Sequence, residues 1–538
     1  DLKEKLDVLN VLELREVMVR ARALPRGEAG KALRPRLLAA PFGRQLGAAS
    51  LLQRVETEWA AAAGPCVRVA PEYEVLQCRL ERLFFLNESQ DLKQFLLADI
   101  GVHRYPSYAT TRSGPVFASR GALLAYEGAL EAAGALEEAV ESGDMGAGIA
   151  AAEPALAAVL AGGGLRGPPP SFSEIPDYTV GAEVGGGGAG LVREAHSSLF
   201  LRRYTSEYIT CCMATLGVSL LERAREYARA ADVLRALLAS RYTPGRRGHW
   251  WMRLSVNEEH MNHPGAAMEA AEAALEDEWV RGGDRLGIQR RLLRLSKLQR
   301  RWKVWPWKEA AMIEPREVQV VARPLNNQAG VKSRFPSPSG SGECGVEEYA
   351  LHHYAAEANG GWRGSHTEGG VFGTLMGLLL WEALFAAGVP DVFQTPFQTA
   401  PLDLSTDAFY PSRRALVESL LARIRGGEGE AMLRASWTAH EGQFCIGVRW
   451  DAYPLDELCD IVRCLGGVGL ATVMRLLSAE YGGRRGGMPD LLLWHVTRVQ
   501  AKLVEVKGPR DRLSDQQRVW LREMEGAGLD VEVFKVKE

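Results

Sequence analysis

Apolar positions recur at helical spacing through most of this chain. Leu12, Leu14, Val17 and Met18 have helical spacing, Pro25–Arg26–Gly27 interrupts the run, and Leu33, Leu37 and Leu38 resume it. A pattern rich in Ala, Leu and Glu predicts further helices over residues 46–161. Every period then fails at Gly162–Gly164, Pro168–Pro170 and Gly185–Gly188, so 162–190 is expected to be a flexible linker or disordered loop. Amphipathic Ala-rich segments return at Leu220–Leu238 and Ala266–Trp279, punctuated by Trp250, Trp251 and Trp279, and predict stacked helical hairpins over 191–310. In the last third strands appear between helices. Turn residues Gly486 to Asp490 lead into the apolar run Leu491–Trp494, and Lys502 to Gly508 reads as a second strand.

The chain has 538 residues, which at about 150 per domain suggests three to four domains. Its 46% hydrophobic and 24% charged residues exclude a mainly disordered, collagen-like or small disulfide-scaffold protein. Eight cysteines lie without a C-x-x-C pair or zinc-finger spacing, and no signal-like N-terminus is seen, so reduced thiols in an intracellular protein are expected. No uncharged apolar stretch reaches the ~18 residues of a membrane span, so no membrane partner is expected.

The net charge of −3 argues against a nucleic-acid partner until its distribution is read. Between Arg281 and Lys308 stand ten Lys and Arg against one acid, Asp284, with Trp302, Trp305 and Trp307 interleaved. Such a run is often a solvated helix face, but its density and single sign favour a polyanion. Residues 6–40 are also basic and read either as a solvated helical hairpin or as a small module gripping phosphates. The hairpins of 191–310 resemble tetratricopeptide packing, though without a clean repeat of about 34 residues.

The two predicted strands carry the chemistry. On a strand Glu505 and Lys507 share one face, while Val504 and Val506 point into a core. Pairing the strands as a hairpin brings Asp490 and Glu505 together across the ladder. Two carboxylates beside an ammonium form a hard-oxygen site suited to Mg²⁺ or Mn²⁺. Such a cation polarises a phosphoryl oxygen and lowers the pKa of bound water, and Lys507 can orient that water. Arg510 and Arg512 follow as candidate substrate-phosphate contacts. Ser514 and Gln517 fit a helix capping box, which leaves Gln517 either structural or a support for the metal site.

The segments GGMPDLLLW and KLVEVKGPRDRLSDQQRVWL resemble the virus-type replication-repair nuclease (VRR-NUC) branch of the PD-(D/E)XK superfamily. The stretches RLFFLN, RRGHWWMRLS, LQRRLLRL, KSRF, HTEGGVFGTLMGLLLWE, PFQTAPLDLSTDAFYPSRR and RCLGG extend this to a resemblance to the Fanconi-associated nuclease family from about residue 79 onward. The resemblance implies a mainly α-helical N-terminal two-thirds followed by an α/β PD-(D/E)XK nuclease domain with a central mixed sheet. The expected divisions are an SAP-like DNA-binding module at 1–45, a helical DNA-binding region at 46–161, the linker at 162–190, a TPR-like region at 191–310 and a nuclease domain at 311–538 with its VRR-NUC core at about 425–538.

The same resemblance implies that Asp490 and Glu505 are metal ligands, that Glu368 adds a third carboxylate, and that the Val506 carbonyl is a backbone ligand. Lys507 becomes the catalytic lysine, and two Mg²⁺ or Mn²⁺ ions are expected. A basic pocket for the 5′-terminal phosphate of a flap falls among Arg247, His249, Arg253 and Arg285. The implied protein cuts 5′ flaps and degrades DNA 5′→3′ in interstrand crosslink repair. It is expected in the nucleus, with branched or 5′-flap DNA, repair-complex proteins and a homodimer on DNA as partners. The alternatives are a four-way-junction resolvase and a non-catalytic DNA-binding repair scaffold.

Overall fold

The computed structural model describes residues 13, 16, 17, 20, 21, 48–64, 69–86, 92–172, 175–180, 199–298, 304–325, 333–337, 342–367 and 370–537. The chain divides into two units, Asp1–Leu83 and Phe84–Glu538. In the first, Ala48–Ala63 is helical and a second helix starts at Pro71. The expected SAP-like module at 1–45 lies almost entirely outside the described residues.

The second unit begins as a stack of helices, with Arg120–Glu141, Met145–Ala161, Ser206–Arg223, Tyr227–Leu238, Arg247–His260, Pro264–Glu276 and Gly282–Leu298 in chain order. Their starts are set by local chemistry. Ser119, Asp144 and Thr205 each accept a hydrogen bond from a backbone N–H of the following helix, which satisfies donors that a helix start leaves unpaired. The alanines read in the sequence become the contact surface. Ala152, Ala155, Ala214, Ala230 and Ala231 are buried among Leu156, Val218, Leu234 and Trp250. Small side chains let the helices approach closely.

The described part of 162–190 is packed rather than a free linker. Gly162 closes the preceding helix with φ +77°, and the Gly167 N–H donates to the Ala239 carbonyl. Pro170 accepts from the Trp279 indole at 2.8 Å, and the Phe172 ring lies 4.1 Å from that of Trp279. Asp177 then caps another helix, Arg414–Arg423, by accepting from the Ala415 N–H at 2.6 Å. Composition predicted flexibility because it registers glycine and proline but not the partners that hold them. Residues 181–190 lie outside the described residues.

The C-terminal domain is built on a mixed five-stranded sheet. The strands among the described residues are β1 (Glu317–Val321), β2 (Phe335–Pro336), β3 (Glu343–Cys344), β4 (Arg363–His366), β5 (Leu491–His495), β6 (Gln500–Lys507) and β7 (Asp530–Lys537). The main sheet runs β1-β7-β6-β5-β4, with β7 parallel to both β1 and β6 and the other pairs antiparallel. Both faces of the central strands are covered. Leu492, Trp494, Ala501 and Leu503 pack with the helices Leu455–Ala479 and Asp515–Gly526, and Leu491, Leu493, Val504 and Val506 pack with Tyr354 and Phe534. Val504 and Val506 face a core as expected, and the opposite face of the strand is covered as well.

Leu455–Ala479 is long and apolar enough to cross a membrane by length and composition, but here it is a core helix. Leu458, Ile461, Val462, Leu465, Leu470 and Met474 are all buried. It bends at Gly466, whose φ is +69°, and a side chain on the next residue, Gly467, would stand 2.6 Å from the Ile424 carbonyl oxygen. The Gly-Gly pair thus meets two demands, a left-handed backbone and a close approach.

Candidate active site

The hairpin of β5 and β6 sets the site. Leu491 pairs with Val504, so one step further along the ladder Asp490 faces Glu505. Asp490 Oδ2 accepts a hydrogen bond from the Val506 N–H at 2.7 Å, pinning its carboxylate to the end of β6. Glu505 is fully buried. Its Oε1 accepts from Lys507 Nζ at 2.7 Å and from the Gln517 side-chain amide. Its Oε2 is buried with no hydrogen-bond partner.

An unpartnered buried carboxylate oxygen is costly, and the electrostatics reflect it. Burial, then the neighbouring Asp490, push Glu505 up to about 8, and Lys507 only partly opposes the shift. Asp490 is also raised, first by burial, against the Val506 N–H and Lys507. Two adjacent carboxylates in a dry setting favour sharing a proton unless a cation joins them. Two carboxylates that share a single ammonium fit a divalent ion such as Mg²⁺ or Mn²⁺.

Strand β4 is fastened to the same corner. The Thr367 N–H donates to the Asp490 carbonyl at 2.9 Å, and its hydroxyl donates to the Pro489 carbonyl. Glu368, the implied third ligand, lies outside the described residues. Among the described residues no group of three acidic, histidine or cysteine side chains forms a metal cluster. The sequence reading overlooked Glu347, whose charge adds to the raised pKa of Asp490. Its only signal is its place in the first turn of the helix Val346–Ala355.

Gln517 makes both the cap and a contact with Glu505. The capping box with Ser514 is complete, with the Ser514 N–H donating to Gln517 Oε1 at 2.9 Å, while the Gln517 amide nitrogen donates to Glu505. Arg510 and Arg512 are exposed in the loop after Lys507, with no ion pair among the described residues.

The four residues assigned to a phosphate pocket are not brought together as free cations. Arg247 is buried and donates to Asp277 at 2.7 Å and to the Leu238 carbonyl at 2.6 Å. Arg253 pairs with Glu222, and Arg285 donates to the Leu275 carbonyl. His249 is lowered by desolvation and by the nearby Arg253 and Arg246. A cleft of about 610 Å³ instead opens among Arg202, Arg203, Arg246 and Arg281, with Asp284, Asp407, Glu480 and Gln516 also in its wall. The basic tract is largely answered within the fold as well. Arg281 pairs with Asp407 and Glu480, Arg290 with Glu314, and Arg291 and Arg294 with Glu259. A linear charge count could not register acids that lie up to 199 positions away, as Glu480 does from Arg281.

Comparison with known proteins agrees with this architecture. The VRR-NUC domain family matches residues 426–538, and the Fanconi-associated nuclease 1 TPR domain matches residues 189–296. The chain is 41% identical to the Fanconi-associated nuclease 1 homolog of Oryza sativa subsp. japonica, covering 100% of this chain and 53% of that protein. Against the Arabidopsis thaliana homolog the identity is 38%, with 100% and 56% covered. Against Fanconi-associated nuclease 1 of Homo sapiens it is 33%, with 88% and 47% covered. The chain thus spans about half the length of the curated relatives it matches. Among solved structures, paFAN1 bound to 2-nt 5′ flap DNA with a gap is similar in fold at TM-score 0.61 and 22% identity, covering 99% of this chain and 81% of that one.

Proposed function

The chain belongs to the Fanconi-associated nuclease family, and on that premise we propose that it is a metal-dependent, structure-specific DNA nuclease. We assign it 5′ flap endonuclease and 5′→3′ exonuclease activity in interstrand crosslink repair, acting in the nucleus on branched DNA. The flap DNA bound to paFAN1 supports this choice of substrate. The family is of a kind that uses divalent metals, and two Mg²⁺ or Mn²⁺ ions are our reading for this chain.

The observation that carries the proposal is the buried, unpartnered Glu505 Oε2 beside Asp490, with Lys507 alongside. Asp490 and Glu505 would hold the cation, with Glu368 and the Val506 carbonyl completing the donor set. Bound there, the ion polarises a phosphoryl oxygen and acidifies a water. Lys507 orients the attacking water and meets charge developing on phosphate. Gln517 holds Glu505 Oε1 and leaves Oε2 free. Arg510 and Arg512 receive substrate phosphates, and the arginine-lined cleft is a better place for a 5′ end than the saturated Arg247.

A labelled 5′ flap with Mg²⁺ or Mn²⁺ tests the assignment. Asp490→Ala and Lys507→Ala are each expected to reduce cleavage on the order of 10²-fold or more, with flap affinity in chelator largely kept. Undiminished cleavage by either variant contradicts the site. A wild type that binds the flap and releases it uncut favours the scaffold.

A further inference from the structure

The helix Asp515–Gly526, which presents Gln517 to Glu505, belongs to two cores at once. Trp520, Leu521 and Met524 lie in the core beneath the sheet, whereas Val519 lies in a cluster with Met268, Ala271, Leu286 and Leu292 of the helical stack. Its first turn is gripped from both sides. The Gly283 N–H donates to Gln516 Oε1 at 2.7 Å. A side chain on Gly283 would stand 2.7 Å from the Gln516 Cα and backbone nitrogen, and one on Gly487 would stand 2.5 Å from the Gln516 side chain. Gly487 is three residues before Asp490, and Gln517 directly follows Gln516. The Asp515 carboxylate also faces the stack, 2.9 Å from where a side chain on Gly287 would begin.

We propose that the helical stack positions the metal-binding carboxylates through Gly283 and Gln516, with Gln516 a positioning residue wedged between Gly283 and Gly487. Backbone contact without an intervening side chain transmits a shift of the stack to both Gln517 and the turn carrying Asp490. An outer partner that orients a ligand typically changes metal affinity or activity about 10–100-fold when lost.

This inference rests on the nuclease reading for its meaning, but its test does not need cleavage. Mn²⁺ affinity is measured by calorimetry on the full chain for wild type, Gly283→Ala, Gln516→Ala and Gly265→Ala, with thermal melts to verify folding. Gly265 is in the same helical stack with open space around its Cβ position, so Gly265→Ala is expected to bind Mn²⁺ as wild type does. Gly283→Ala is expected to weaken Mn²⁺ on the order of tenfold, with turnover on saturating flap reduced in step. Gln516→Ala, which removes the hydrogen bond and the side chain packed on Gly487, is expected to follow in the same direction and carries the test if Gly283→Ala fails to fold. Wild-type Mn²⁺ affinity in a folded Gly283→Ala, or in Gln516→Ala when the former does not fold, overturns the proposal. So does an equal loss in Gly265→Ala. A wild type that binds Mn²⁺ but cuts no DNA fails the nuclease reading alone, and the affinities still decide this one.

Discussion

Glu505 concentrates the energetics of the site. Its pKa stands at about 8 against an ordinary 4.5, chiefly through burial. Below the ordinary value the group is protonated in folded and unfolded chains alike. As pH rises toward 8 the unfolded chain loses the proton while the folded one retains it, so this contribution to stability is lost across that window. Metal-free protein is therefore expected to melt at lower temperature at about pH 8 than at about pH 5.5, by more than Glu505→Gln does. Mn²⁺ affinity runs the opposite way, rising over the same interval, because the ion competes with the shared proton. Parallel melting slopes for wild type and Glu505→Gln would contradict the assignment.

At the scale of elements, the strap and the caps tie distant pieces of chain together. Asp177 caps Arg414–Arg423, a helix whose own N-cap residue, Arg413, supplies no side-chain hydrogen bond. Its pKa is lowered, with hydrogen bonds from Thr179 and Ala415 outweighing partial burial. Asp177→Ala is expected to cost about 1 kcal/mol of stability in chemical denaturation, and a change within error would show that the strap contributes nothing. The candidate hairpin was legible because a strand has a period of two, which puts Glu505 and Lys507 on one face, and because pairing the strands as a hairpin brings Asp490 to Glu505. The capping box was equally legible at Ser514 and Gln517. What was hidden depends on tertiary partners. Asp277, thirty positions from Arg247, turns a presumed phosphate contact into a buried ion pair. The second hydrogen bond of Gln517 exists only because its helix lies across the end of β6.

At the scale of the molecule, the net charge of −3 is a sum over ion pairs that the fold assembles. Pairing of Arg281, Arg290, Arg291 and Arg294 with acids leaves the tract less basic than its sequence, and the cleft beside Gln516 sets Arg202, Arg203, Arg246 and Arg281 against Asp284, Asp407 and Glu480. The long helical stack forms one wall of that cleft and packs on the helix Asp515–Gly526.

The most direct test of the central claim is the initial rate of Mn²⁺-dependent cleavage of a 5′ flap and of a four-way junction, measured side by side on the wild-type chain. The account predicts that the flap is cut at least about tenfold faster, a difference of roughly 1.4 kcal/mol in transition-state stabilisation. Equal rates or a preference for the junction would contradict it.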